Sequence, residues 1–314
     1  MRIFAPPLHR LTAHRRNFSA AALLVAASAL SPPLHAAPAA PTGPVLDQIR
    51  AQGRIVLAHR ESSVPFSYLG PGQRPMGYAL DICRKIATAV QTRLGLSDLA
   101  VEYRMVSPAN RIEAIESGQA QLECGSTTNN AARREKVAFT IPHFITGARL
   151  LVKAGSPIDR LDHPDIKTIA VTRNTTPLAA VRRVMAERAL RFKLIEAEDH
   201  EKGVQMVERG EADAFVMDDA LLYGLASTRP NPRALQVVGR FLTTEPLAIM
   251  LPKSDPAFKR LVDDEMRRLI FSREIHAIYQ QWFEKPIPPT NLALGLTPSY
   301  LLRDLWKFPT DQVP

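Results

Sequence analysis

Two hydrophobic periods alternate along this chain. Arg54 to His59 is a short apolar run of strand length. From Ala79 to Leu94 the apolar residues Leu80, Cys83, Ile86, Ala87, Val90 and Leu94 fall on one helical stripe. Strand patterns at Leu99–Val106 and Gln121–Cys124 enclose a helical segment, Asn110–Ser117. After Ala148 the alternation restarts, with strands at Thr168–Thr172, Phe192–Ala197 and Ala214–Met217 and helices at Pro177–Arg188 and Val204–Arg209. Near the end, Pro246–Leu251 reads as a strand and Pro256–Phe271 as a helix with Phe258, Leu261, Val262, Met266, Leu269 and Ile270 inward. Ile275, Ile278, Tyr279 and Trp282 mark another helix. Strands alternating with helices predict parallel sheets joined by right-handed crossovers.

A weak internal repeat divides the pattern in two. Ile115–Gln121 and Val207–Asp213 each carry a helix end, a glycine suited to the left-handed cap, and a short strand that delivers polar residues at its C-terminal edge. Ligands of open parallel sheets bind outside that edge. Two such units facing each other predict a two-lobed α/β molecule with a cleft. The expected division is residues 37–146 and 246–290 in lobe 1 and 147–245 in lobe 2. Residues 291–314 are expected to form a tail packed on a lobe. The chain would then cross between lobes near Ile145–Leu150 and Arg240–Leu247, and two extended crossings make a hinge.

Charge and cysteine placement narrow the class. Residues 1–36 hold four arginines, no acidic residue, an apolar run from Ala20 to Leu30 and a small-residue site at Leu34-His35-Ala36. That is the layout of an export signal, with Arg15-Arg16-Asn17-Phe18 close to a twin-arginine pattern, so the mature chain is expected outside the cytoplasm, in the periplasm. Loss of those four arginines lowers the net charge from +9 to +5. The remaining charge is scattered, which argues against nucleic acid as a partner. Cys83 and Cys124 have no metal-ligand spacing; the reading is two buried free thiols, with a disulfide as the alternative.

The candidate chemistry lies just past predicted strand ends. Cys124 gives way to Gly125-Ser126-Thr127-Thr128-Asn129-Asn130 and then to a helical start with Arg133 and Arg134. Hydroxyls, free backbone N–H groups and a guanidinium there suit a carboxylate; an N-cap with solvated arginines is the plainer reading of that segment alone. Arg60, Arg111, Thr176, His200 and Asp218 occupy equivalent edges. Together these groups suit an anion that also carries an ammonium.

Several segments carry a family resemblance. His59–Tyr68, Gly77-Tyr78, Asn110-Arg111, Glu123–Asn130, Asp199-His200, Met217–Leu222, Trp282-Phe283 and Pro286–Pro289 resemble, in order and spacing, the periplasmic glutamate/aspartate-binding proteins of bacterial ABC importers, in solute-binding protein family 3. The resemblance implies a type II periplasmic-binding-protein fold whose lobes are mostly parallel sheets flanked by helices and joined by a two-stranded hinge. It implies that Arg60, Arg111 and His200 hold the side-chain carboxylate of L-glutamate or L-aspartate. Arg133, Thr128 and Thr176 would hold the α-carboxylate, and Ser126 and Asp218 the α-ammonium. A membrane ABC permease is the implied partner; a monomer without cofactor, metal or catalytic residues is expected. Pro108 stands where the family often has serine, and Asn174, preceded by Arg173, where it has glycine. The competing readings are an enzyme on the same fold, resembling cyclohexadienyl dehydratase, and a sensory ligand-binding module.

Overall fold

The computed structural model describes residues 43–313. The expected export signal, residues 1–36, lies outside the described residues. Two five-stranded sheets organise the chain. The first runs in the order Ala100–Met105, Arg54–His59, Leu122–Glu123, Met250–Leu251, Ala138–Phe139. The second runs Lys193–Ala197, Thr168–Thr172, Ala214–Asp218, Ala148–Lys153, Leu235–Val238. In each sheet the first three strands are parallel. The fourth is antiparallel to both neighbours, so four of five strands share a direction.

Helix positions follow the apolar stripes. The Tyr78–Leu94 helix buries Leu80, Cys83, Ile86, Ala87 and Val90, and ends at Gly95 in the left-handed conformation. It packs beside the Pro256–Phe271 helix, which is capped by Asp255 through the N–H groups of Ala257 and Phe258. Asp255 also accepts from Val45, which anchors the Pro44–Gln52 helix. In the internal repeat Gly118 and Gly210 sit at φ 71° and 74°, where a Cβ is disfavoured, and each releases a helix into a strand.

Pro246–Leu251 departs from the single expected strand. Glu245–Leu247 pairs with Phe144–Thr146 in a separate two-stranded ribbon, whereas Met250–Leu251 joins the first sheet. The break has a local cause: the Ile249 N–H donates to the Thr140 hydroxyl (3.1 Å) instead of to a strand. This ribbon links the two sheets, and its Phe144 stacks on Phe283 (4.8 Å between centroids) within a cluster that includes Phe66, Tyr78 and Tyr279. Beyond it, the Tyr300–Lys307 helix buries Leu302 and Trp306, the latter 4.4 Å from the His276 ring.

The free-thiol expectation is overturned. Cys83 and Cys124 form a disulfide, with Cα atoms 6.2 Å apart. The inward stripe of the Tyr78–Leu94 helix lies on the face of the sheet beneath it, which sets Cys83 opposite the end of the Leu122–Glu123 strand. That juxtaposition depends on tertiary packing, which spacing along the chain does not encode.

Candidate ligand-binding cleft

Arg60 is the first residue past the Arg54–His59 strand, and its backbone N–H donates to the Ser67 hydroxyl (2.9 Å). Its side chain is only 2% exposed, and Nε and Nη1 are buried without a partner among the described residues. Arg111 opens the Arg111–Glu116 helix and is equally buried; its Nη2 donates across to the carbonyl of Asn174 (3.2 Å), while Nε has no partner. Burial and the neighbouring Arg111 push the Arg60 guanidinium down to about 9, opposed by the charge of Glu123. Glu123 is fully buried with both carboxylate oxygens unpaired; burial raises its carboxyl, and Arg111 and Arg60 pull it back. Sequence reasoning passed over this acid because it sits inside a strand that reads as core.

The loop after Cys124 forms the next wall. Asn130 caps the short Ala131–Arg134 helix by accepting from the Arg133 N–H (3.0 Å). Arg133 folds back, its Nη1 donating to the Thr128 carbonyl (2.8 Å). Arg134 turns to Asn129 instead (2.9 Å). Burial and Arg111 bring the Arg133 guanidinium down to about 9.

The second sheet supplies the facing wall. His200 opens the His200–Arg209 helix, one turn earlier than its apolar residues suggest, because Asp199 caps it through the Lys202 N–H (2.8 Å). The His200 Nδ1 lies 3.0 Å from the Thr172 hydroxyl. Burial, with Arg60 and Arg111 close by, holds this imidazole well below the ordinary histidine range. In the cleft without ligand that environment disfavours the charged imidazole. Asp218 ends its strand 2% exposed, with Oδ1 unpaired. Burial, then Glu245 and Asp219, push its carboxyl well above the usual carboxylate range, against Arg133 and Arg111. Thr176 begins the Thr176–Glu187 helix, and its hydroxyl donates to Oε2 of Glu245 (2.7 Å). Glu245, on the connecting ribbon, is a second buried acid that sequence reasoning missed.

Seven of the eight sequence-predicted residues (Arg111, Ser126, Thr128, Arg133, Thr176, His200 and Asp218) line one small cavity of about 10 Å³. Arg60 lines a separate pocket with Ser107, Pro108 and Asp199. Ser107 donates its hydroxyl to Asn110 (3.2 Å), so it is already engaged beside Pro108. Arg173 faces solvent and pairs with Glu198 (3.1 Å). His143 is enclosed near Phe66 and Tyr78, and burial pushes it down to about 3. The site is therefore a set of buried cations and acids with unpaired donors and acceptors, set between two sheets.

Two α/β lobes, a two-stranded connection and a charged cleft between them define a type II periplasmic-binding-protein fold. The chain belongs to the bacterial extracellular solute-binding proteins, family 3, whose model matches residues 55–285. It is 37% identical over 298 residues to the glutamate/aspartate import solute-binding protein of Escherichia coli K12, covering 95% of this chain and 98% of that relative. It is 39% identical over 269 residues to an L-glutamate/L-aspartate-binding protein of Pseudomonas aeruginosa, covering 85% and 89%. Among solved structures, a mutant of the arginine-binding protein of T. maritima shares the fold at a TM-score of 0.67 and 21% identity, over 77% of this chain and all of that one. An ancestral amino acid-binding protein described as a precursor of cyclohexadienyl dehydratase matches at a TM-score of 0.65 and 25% identity, over 76% and 98%.

Proposed function

We propose that this chain captures L-glutamate or L-aspartate outside the cytoplasm and delivers it, without chemical turnover, to a membrane ABC permease. One observation carries the reading: buried guanidinium N–H groups on Arg60 and Arg111 and a buried Asp218 oxygen stand unpaired around one cleft. Donors for anions and an acceptor for a cation are what an acidic amino acid requires. Arg60, Arg111 and His200 take the side-chain carboxylate. Arg133, Thr128 and the N-terminal turn containing Thr176 take the α-carboxylate, and Ser126 and Asp218 take the ammonium. In this reading residues 37–146 and 246–290 move as one lobe and 147–245 as the other, after an export signal at 1–36 has been removed. The names of the relatives at 37–39% identity support the same ligand class. The structural likeness to a dehydratase precursor does not favour an enzyme, because that precursor is itself described as an amino acid-binding protein.

Titration calorimetry tests the proposal. L-glutamate or L-aspartate should bind at one site per chain and be recovered unchanged. L-glutamine should bind about 100-fold more weakly than L-glutamate, since buried guanidinium groups would lose their charged partner. Equal affinity for glutamine and glutamate would remove Arg60 and Arg111 from the ligand.

A further inference from the structure

We infer that Glu123 is a positioning residue of the cleft: its buried charge sets the net positive charge that Arg60 and Arg111 present, and so tunes how strongly the site prefers an acidic side chain to an uncharged one. The inference rests on the reading of Arg60 and Arg111 as the pair that takes the side-chain carboxylate. Glu123 is wholly buried, and neither carboxylate oxygen has a hydrogen-bond partner among the described residues. A buried carboxylate without donors is costly unless opposite charge stands close by. The sheet supplies that charge. Glu123 pairs in register with Ala58 on the parallel Arg54–His59 strand, so the two side chains share a face. Arg60 follows two residues after Ala58. The Arg111–Glu116 helix packs against the same strand end, with its Ala114 and Ile115 in one apolar cluster with Ala58. Gly125 leaves the room for this: a Cβ there would collide with Oε1 of Glu123 and stand 3.1 Å from Cγ of Arg60.

The interaction works through space. Burial raises the Glu123 carboxyl, and Arg111 and Arg60 oppose that rise although neither donates a hydrogen bond to it. Glu123 lines neither the cavity bounded by Arg111 nor the pocket bounded by Arg60. It stands behind the two guanidinium groups and touches no ligand. Two buried guanidinium groups facing one ligand carboxylate leave a positive charge uncancelled, and Glu123 cancels it. The same acid repels the side-chain carboxylate that those arginines attract. Glu123 therefore acts on stability and on affinity for an anion in opposite directions.

The test uses the mature protein and its Glu123→Gln variant, which keeps the shape of the side chain and removes its charge. L-glutamate should bind Glu123→Gln about 10-fold tighter than wild type, the effect of deleting one like charge at short range in a poorly screened interior. L-glutamine, whose side chain carries no charge, should bind both proteins with nearly equal affinity, so the preference for glutamate over glutamine widens by about the same factor. The thermal midpoint without ligand should fall by about 3 °C, because the arginines lose their acid. A merely structural role would lower the midpoint and weaken both ligands alike, and a preference that is unchanged or narrowed overturns the inference. If Glu123→Gln does not fold, the wild type decides: the side-chain carboxyl carbon of Glu123, followed by NMR in the glutamate complex at neutral pH, should report a carboxylate, and a protonated acid overturns the inference. No glutamate binding by wild type would overturn the proposed function and this inference with it. Binding by wild type with the same preference in Glu123→Gln overturns this inference alone.

Discussion

Protonation at single residues governs how this cleft meets a zwitterionic acid. Asp218 is held toward its protonated form by burial and by the negative charges of Glu245 and Asp219. An ammonium docked on it favours the ionised form. Binding should therefore expel a proton from Asp218, so that the complex holds fewer protons than protein and ligand apart. Linkage then fixes the sign: affinity rises with pH until the Asp218 pKa of the unliganded protein is passed, and is level above it. His200 pulls the other way, because a carboxylate beside it raises its pKa, but burial, Arg60 and Arg111 hold it far below the working range. Net release is the expected outcome. Calorimetry in two buffers of different ionisation heat should show it at slightly acidic pH, and Asp218→Asn should abolish it. Proton uptake in wild type would mean that His200, not Asp218, dominates.

At the scale of elements, the disulfide is the clearest case of information absent from local pattern. It ties the Tyr78–Leu94 helix to the end of a central strand, two residues before Ser126, across a sequence separation of 41. Closing a loop of that length stabilises the fold by about 4 kcal/mol through the entropy of the unfolded chain. The double variant Cys83→Ala/Cys124→Ala should lose roughly that much in urea unfolding; a loss below about 1 kcal/mol would show that the unfolded chain is not the state the bond restrains. Other elements divide by the same criterion. The Thr168–Thr172 strand and the Pro256–Phe271 helix were legible to the residue, because apolar period and flanking cap agree there. The strands Ala148–Lys153 and Leu235–Val238 were not, since they pair antiparallel and follow no helix alternation. The Pro44–Gln52 helix went unread despite a proline at its start and Gly53 at its end, because three buried residues make too narrow a stripe. Arg111, Thr128, Arg133, Thr176, His200 and Asp218 could be placed together because each follows a strand end. Glu123 and Glu245 could not, because a carboxylate inside a strand announces its burial only once the sheets are assembled.

Across the whole molecule, the two-stranded ribbon is a slender link between lobes that touch closely elsewhere. Arg111 reaches Asn174, Thr128 reaches Thr176, and Gly224 approaches the Val64 carbonyl so nearly that a Cβ there would collide with backbone. A molecule hinged at Phe144–Thr146 and Glu245–Leu247 and closed by such contacts shifts toward closure when a ligand binds both walls, by the difference in its affinity for the open and closed states. Of the groups proposed to touch ligand, Asp218 is the acid from the second lobe, and its loss weakens the hold of that lobe on the ammonium. Solution scattering during a glutamate titration should show compaction in wild type. In Asp218→Asn the midpoint should move to about 30-fold higher glutamate or beyond, the equivalent of removing one partner of a buried charged pair. The compact end state should nevertheless match wild type, because the direct contacts between lobes do not involve Asp218. An unchanged midpoint would place the ammonium elsewhere in the cleft; an end state that stays expanded would mean that Asp218 is needed for the lobes to meet at all.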